Sequence, residues 1–143
     1  MKKRIVIFVF IIGMLSLSNH VFGQLSASYQ YSSLNKIGLG YKFSNKVWTE
    51  LRIYSNTFMN DFTPEIAIFY NVSMKARHEI YVGIGGTINY FNGVVVPIGL
   101  QFRPIDNFKR FSIQIEFEPI IDYDRQDIIF QSSAGIRYTF GKD

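Results

Sequence analysis

Cysteine is absent from this sequence of 143 residues, so disulfide cross-links and thiol chemistry are excluded. The absence also excludes the lipid-modified cysteine that anchors bacterial lipoproteins. Alanine and leucine, which most helices use, are scarce, whereas 17% of the residues are aromatic, with 14 Phe and 9 Tyr. Aromatic residues favour half-buried strands. A chain of this length folds as one domain at most, and its composition favours β-structure.

A strong charge of either sign is also missing. The formal net charge is +4, but Lys2, Lys3 and Arg4 lie in a segment that we predict to be cleaved. Taking these three from the 15 basic residues leaves 12 against 11 acidic residues. A nucleic-acid-binding protein needs a clustered basic face, so we expect no nucleic-acid partner.

No apolar run is long enough for a membrane-spanning helix. Residues 5–17 are almost all apolar, but about 13 residues are fewer than the roughly 20 that a bilayer requires. A basic start, a short apolar stretch and a cut before Gln24 are typical of a secretory signal peptide. We therefore predict a signal peptide over residues 1–23 and a barrel domain over residues 24–143. The F-G-Q junction resembles signal peptides of the Bacteroidota.

Helical periodicity is missing after Gln24, whereas apolar and polar residues alternate almost without interruption. A period of two residues is typical of strands with one apolar face. The alternating segments are Leu25 to Ser32, Ile37 to Phe43, Val47 to Ser55, Glu65 to Val72, Glu79 to Ile88, Val94 to Arg103, Phe111 to Glu118 and Ile128 to Phe140. Their lengths match the roughly 9 to 11 residues of a tilted membrane strand. The sequence therefore predicts an all-β fold, an eight-stranded antiparallel transmembrane up-and-down β-barrel.

The polar face of these strands helps to decide between two kinds of barrel. A soluble barrel with an apolar interior, such as a lipocalin, would carry many charged side chains on its polar face. Here that face is rich in glycine, which suits the crowded interior of an eight-stranded barrel. We therefore expect the apolar face to meet lipid and a polar network to fill the lumen. Its predicted members are Glu50, Arg52, Glu65, Glu116, Glu118 and Arg137.

The last predicted strand contains the most specific pattern. It reads S-A-G-I-R-Y-T-F and resembles the C-terminal assembly signal of bacterial outer-membrane proteins, although three residues follow its final aromatic position. Ser133, Gly135, Tyr138 and Phe140 occupy the four positions of that signal. The resemblance implies recognition by the barrel-assembly machinery. The chain as a whole resembles the small OmpA or OmpX type of barrel, which implies the outer membrane of a Gram-negative bacterium.

Residues for catalysis or metal binding are few. Lipid-modifying barrel enzymes need a histidine near a serine and a carboxylate, but His78, in a predicted basic turn, has no nucleophile placed beside it. The segment Asp122 to Asp127 has acidic residues that suit calcium, but it lacks the glycine and the distal glutamate of an EF-hand loop. We interpret it as a solvated loop. No enzyme activity, metal or cofactor is expected.

With both termini in the periplasm, the even strand count puts four of the predicted loops outside the cell. The predicted outer loops are Ser32 to Lys36, Asn56 to Phe62, Tyr90 to Gly93 and Ile121 to Asp127. Basic residues then gather at the periplasmic rim, where lipid phosphates or a periplasmic protein are possible partners. They are Lys42, Lys46, Lys75, Arg77, Lys109, Arg110 and Lys142. Pro97 cannot donate to a strand ladder, so we expect a bulge or a late strand start there.

These patterns favour a monomeric outer-membrane barrel with a structural or interaction role, whose partners are outer-membrane lipids and the assembly machinery. Two alternatives stay open. One is a narrow, porin-like pore, although open aqueous channels belong to barrels of roughly 16 strands. The other is a soluble periplasmic lipid-binding barrel. A lipid-modifying enzyme is a more distant fourth hypothesis.

Overall fold

The structure, a computed structural model, describes residues 25–55 and 62–140. The predicted signal peptide lies outside these residues, as do Lys142 and most of the predicted loop at 56–62. The strands are β1 (Leu25–Tyr31), β2 (Lys36–Lys42), β3 (Val47–Tyr54), β4 (Pro64–Met74), β5 (His78–Thr87), β6 (Gly93–Val95), β7 (Ile98–Phe102), β8 (Phe111–Asp122) and β9 (Asp127–Thr139). In the described part of the chain, no helix is long and apolar enough to cross a membrane.

Antiparallel pairing joins each strand to its neighbours and closes the sheet. The closing seam is between β1 and β9, where pairing extends from Ser26–Thr139 to Tyr31–Ala134. β6 and β7 follow one another between β5 and β8, so they form the two halves of one barrel strand. The fold is therefore a closed antiparallel barrel of eight strands, as the alternation predicts. Closure removes the free edges on which other chains could pair.

The break between β6 and β7 falls at Pro97, but it is not the bulge or late start that the sequence suggested. The pairs on either side, Gly85–Val95 and Val82–Ile98, follow one register without an extra residue. Pro97 accepts a hydrogen bond from the Gly83 N–H at 2.8 Å but has no N–H to donate in return to the Gly83 carbonyl of β5. The missing donor interrupts the ladder locally. A true register shift lies elsewhere, in β4 between Asn71 and Ser73.

Some strand ends differ from the prediction by a few residues. Lys36, predicted in an outer loop, is the first residue of β2. β8 continues to Asp122 and β9 begins at Asp127, so the connection between them is shorter than expected. Inward and outward positions keep alternating to the ends of these strands, so polar end residues such as Lys36 are strand residues and not loop residues.

Inward and outward side chains alternate with the predicted parity. On β8, Gln114, Glu116 and Glu118 are buried, whereas Ile115 and Phe117 are exposed. Among the described residues, 31 large hydrophobic side chains are exposed, while the buried set contains 8 hydrophobic and 19 polar or charged residues. The enclosed part of this barrel is therefore mostly polar, and its outer face is mostly apolar.

The barrel has two rims. We call the terminal rim the end that holds the start of β1, the end of β9 and the connections 43–46, 75–77 and 103–110. The distal rim holds the connections 32–35, 55–63, 88–92 and 123–126. Charges and aromatic rings are distributed differently at the two ends.

Candidate functional site in the barrel interior

All six charged residues predicted for the lumen lie inside the barrel. β3 supplies Glu50 and Arg52, β4 supplies Glu65, β8 supplies Glu116 and Glu118, and β9 supplies Arg137. Each is at most 5% exposed. Residues two apart on a strand share a face, which puts the paired positions of β3 and β8 on the inner side. Because a buried unpaired charge is costly, their mutual contacts are decisive.

Arg52 is the centre of this network. Its Nη1 and Nη2 atoms lie 2.5 and 2.8 Å from the two carboxylate oxygens of Glu116. Its Nε donates to Glu50 at 2.9 Å, and Nη1 also lies 3.3 Å from Glu65 and 3.2 Å from Glu118. A two-point contact between a guanidinium and a carboxylate is strong and directional. One side chain therefore ties β3, β4 and β8 together across the lumen.

Glu65 and Glu118 share the same donors. Lys36 Nζ lies 2.5 Å from Glu118 and 3.5 Å from Glu65. The hydroxyl of Tyr54 donates to Glu65 at 2.9 Å and lies 3.4 Å from Glu118. Since Arg52 contacts both as well, the two carboxylates compete for three donor groups.

Arg137 extends the network to β9. It forms an ion pair with Glu50 and donates to Gln101 Oε1 at 2.9 Å. The Ser28 hydroxyl donates to the other oxygen of Glu50 at 2.8 Å. With Lys36 and Arg52, three cations face the four carboxylates of the network. Its formal charge with all groups ionised is therefore −1.

Each buried cation also lies over an aromatic ring. The distance to the ring centroid is 5.1 Å for Lys36 over Tyr54, 4.9 Å for Arg52 over Phe69 and 4.0 Å for Arg137 over Trp48. Cation–π attraction strengthens when the cation is desolvated. The rings therefore replace part of the hydration that the enclosed cations lose.

A cluster of aromatic side chains lies in the interior between the network and the terminal rim. Trp48 stacks on Phe69 with ring centroids 4.0 Å apart, and Tyr81 meets these rings edge-on at 5.3 and 5.5 Å. The Tyr81 hydroxyl donates to Glu116 at 2.7 Å. The aromatic cluster is thus bonded directly to the ion network.

Glycines on facing strands leave the space that these rings occupy. A Cβ atom at Gly99 would collide with the ring of Tyr81, and one at Gly83 would lie 2.7 Å from the ring of Phe69. Gly83 and Gly99 on the polar face are therefore explained by the large rings that their neighbours on the next strand place in the lumen.

A second apolar cluster lies between the network and the distal rim. It consists of Tyr54, Phe91, Val95 and Ile120, each at most 3% exposed. From the connection 123–126, the Arg125 guanidinium lies 5.4 Å from the ring of Phe91. Apolar layers on both sides of the ion network lower the local dielectric constant, which strengthens paired charges and penalises unpaired ones.

Sequence reasoning missed several members of the interior, among them Lys36, Tyr54 and Trp48. Lys36 stands one residue before the predicted second strand, although it shares parity with Gly38. Tyr54 and Trp48 share parity with Glu50 and Arg52, so extending the alternation would have found them.

The predicted assembly signal lies on β9, the strand of the closing seam, and on Phe140, which directly follows it. Gly135 pairs with Gln30 of β1, and a Cβ at Gly135 would collide with the carbonyl oxygen of Tyr29. Ser133 pairs with Glu116 of β8. The rings of Tyr138 and Phe140 meet edge-on at 5.2 Å, and the Phe140 N–H donates to Leu25 O at 2.8 Å. The pattern therefore coincides with the strand that completes the barrel.

The other chemical candidates lie at the rims. His78 is the first residue of β5, half-buried at the terminal rim. Asp122, expected in a solvated loop, is a buried residue of β8 whose carboxylate accepts from the N–H groups of Asp124 and Arg125 at 2.9 and 3.1 Å. It holds a turn. The residues that the structure describes contain no group of three or more His, Cys, Asp or Glu arranged to hold a metal.

Fold and interior define a class: closed eight-stranded antiparallel β-barrels with an ion-paired interior and an apolar outer face. No protein-family model matches the chain, and no curated protein matches it. Among solved structures, it is similar to the N-terminal β-barrel domain of Pseudomonas aeruginosa OprF. The identity is 13% and the TM-score 0.61, over 82% of this chain and 96% of that domain.

Two designed proteins are similar as well. For TMB2.3 the identity is 13% and the TM-score 0.63, over 87% of this chain and 100% of the designed one. For a chain from the de novo design of transmembrane β-barrels, the identity is 16% and the TM-score 0.51, over 81% of this chain and 94% of that one. At such identities the likeness establishes the fold.

Proposed function

We propose that this chain is an integral β-barrel protein of the bacterial outer membrane with a structural or interaction role. The observation that carries the proposal is the inverted placement of its side chains, with arginine and glutamate enclosed and isoleucine, leucine and phenylalanine exposed. Soluble monomers rarely expose an apolar patch larger than several hundred Å². An outward apolar band is what a membrane barrel presents to hydrocarbon. The similarity to a designed transmembrane barrel supports the same reading.

A soluble lipid-binding barrel would require the opposite arrangement. Its apolar ligand would need an apolar cavity, but Arg52 and Glu116 meet in the middle of this barrel. Ile113 and Ile115, which would line such a cavity, face outward. The interior therefore favours the membrane protein.

Membrane fractionation tests the proposal. The full chain, expressed in a Gram-negative host, is expected to sediment with outer membranes, to resist alkaline extraction and to migrate faster on a gel before heating than after it. A periplasmic protein that stays monodisperse without detergent would contradict the proposal. Folding can be checked independently by the far-ultraviolet β-sheet signal.

We propose further that side chains close the lumen, so the protein is not a pore. The support is the bidentate Arg52–Glu116 contact flanked by two apolar clusters. Planar bilayers containing the purified protein are expected to show no unitary conductance steps. Steps whose size changes in Glu116→Gln or Arg137→Met would favour the narrow pore instead.

A non-enzymatic role is part of the proposal. In the described chain, no serine or carboxylate bonds the imidazole of His78, which a lipid hydrolase or acyltransferase would require. Expression of the protein should therefore leave the mass of the host's lipid A unchanged. A shift by an acyl chain that disappears in His78→Ala would revive the enzyme hypothesis.

We also propose that the last strand is recognised by the barrel-assembly machinery. Phe140 is an exposed aromatic at the terminal rim, and Phe130 is an exposed aromatic on the same strand outside the four-residue pattern. Phe140→Ala should reduce the fraction of folded protein in the outer membrane, whereas Phe130→Ala should not. Equal losses in both variants would indicate a general need for aromatic residues on β9.

A further inference from the structure

Charges are unevenly divided between the two rims. Among the described residues, the terminal rim and the strand ends beside it carry seven basic residues against Glu79 and Asp106. The basic residues are Lys42, Lys46, Lys75, Arg77, Arg103, Lys109 and Arg110. The described distal rim carries a single exposed cation, Arg125, against Asp122, Asp124 and Asp127.

Both carboxylates that the structure describes at the terminal rim are already paired. Arg77 forms an ion pair with Asp106, and Arg103 lies 2.7 Å from Glu79. Four lysines of this rim have no carboxylate partner among the described residues: Lys46, Lys75 and Lys109, which are exposed, and Lys42, which is half-buried. The terminal rim therefore presents a ring of uncompensated ammonium groups, which we call the lysine collar.

Apolar side chains lie directly beside the lysine collar. Phe43 follows Lys42 in the chain, Phe108 precedes Lys109, and both rings are exposed. Lysine stems cover apolar surface while their ammonium groups stay in water. A cationic head next to exposed aromatic residues matches the boundary where acyl chains meet phosphate groups.

The distal rim lacks this combination. The guanidinium of Arg125 lies over the rings of Tyr90 and Phe91, at 5.0 and 5.4 Å, and 3.8 Å from Asp122. Its charge is therefore partly compensated within the protein. The described carboxylates at this rim disfavour anionic head groups.

From this asymmetry we infer that the lysine collar binds the phosphate groups of anionic glycerophospholipids in the leaflet at the terminal rim. The inference rests on the proposed membrane function and names its lipid partner. Each basic residue near an anionic membrane surface contributes about a fivefold preference. Four such residues therefore suffice for selective lipid association, and the acidic distal rim gives the barrel a preferred orientation.

The test uses the purified full-length barrel in phosphatidylcholine vesicles that contain spin-labelled phosphatidylglycerol or spin-labelled phosphatidylcholine. The fraction of motionally restricted label gives the relative association constant of the two lipids. We expect phosphatidylglycerol to be preferred at least about fivefold at low salt, the effect of about one basic residue. The preference should disappear when Lys42, Lys46, Lys75 and Lys109 are all replaced by glutamine.

Two control variants separate charge from folding. Replacing the same four lysines with arginine keeps the charge and should keep the preference, while Arg125→Gln at the distal rim should not change it. Equal association constants for the two lipids, or a preference that persists in the glutamine variant, would overturn the inference. If the lysine collar binds a soluble protein and not lipid, the two association constants should be equal. Flotation with pure phosphatidylcholine vesicles is measured first, because its failure would contradict the membrane proposal itself.

Discussion

Ile115 and Glu116 are consecutive residues of β8 with opposite surroundings: 60% of Ile115 is exposed, whereas 1% of Glu116 is. The inner position requires specific partners, because Glu116 needs both Arg52 and the Tyr81 hydroxyl. The outer position requires only an apolar side chain of any shape. Side-chain chemistry is therefore strictly specified on one face of the strand and loosely specified on the other.

The largest loss of folding free energy is expected when Arg52, at the centre of the ion network, is replaced. Arg52→Ala leaves Glu116, Glu50, Glu65 and Glu118 facing two cations in an enclosed space. Breaking a buried ion pair from one side costs about 3–5 kcal/mol. Urea unfolding of the detergent-solubilised or vesicle-bound barrel, followed by gel mobility, measures the loss.

The matched control is Arg77→Ala. Arg77 also pairs with a carboxylate, Asp106, but both side chains are more than half exposed. Exposed ion pairs contribute about 0–1 kcal/mol. Similar losses in the two arginine variants would mean that the network adds nothing beyond a surface ion pair.

A charge on the outer face comes next in size. Ile115→Arg should cost about 2–4 kcal/mol if this position faces the middle of a bilayer. Ile105→Arg, at an exposed position in the connection 103–110 of the terminal rim, should cost about 0–1 kcal/mol. In a water-soluble barrel both changes would be nearly neutral, so unfolding in vesicles of the two variants distinguishes the surroundings of the outer face.

Packing inside the lumen gives a smaller effect. Gly99→Ala forces the Tyr81 ring to move, because the new methyl group would overlap it, and overpacking costs about 1–3 kcal/mol. Gly86→Ala is the control, since its nearest neighbour would be Gly93 O at an ordinary 3.6 Å. Equal midpoints of urea unfolding for the two variants would show that the interior has room to spare.

The smallest change in stability is expected when one of the four carboxylates that face three cations is neutralised. Glu118→Gln brings the network to three cations and three carboxylates, and it should cost less than about 1 kcal/mol because Glu65 retains the shared donors. Glu116→Gln removes the bidentate partner of Arg52 and should cost about 1–3 kcal/mol. If Glu118→Gln is the more harmful of the two, the formal charge of the network is not what limits its stability.

Strand number and side-chain parity could be predicted from the sequence because a period of two residues fixes which residues share a face. The six charged lumen residues followed from that parity alone. Their partners did not, since the contact of Arg52 with Glu116 depends on how far the strands are staggered when the barrel closes. Lys36 was missed because a lysine at the end of an alternating segment is typical of a loop, and it was assigned to one.

Pro97 illustrates a different limit. A missing N–H group predicts a disturbed ladder, but it does not say whether the chain adds a residue or simply omits a bond. Here the register is kept on both sides, so the bond is omitted. Neighbouring strands hold the chain in place around the gap, and that support is a tertiary effect which no local pattern contains.

The ion network also dictates an order of events. Its bonds join residues that are 64, 82 and 87 positions apart, Arg52–Glu116, Lys36–Glu118 and Glu50–Arg137, and such distant pairs form late. Until β8 and β9 pair to complete the barrel, Glu116, Glu118 and Arg137 cannot reach these partners and stay hydrated. Closing the barrel therefore removes water from these groups and forms their long-range ion pairs in the same step.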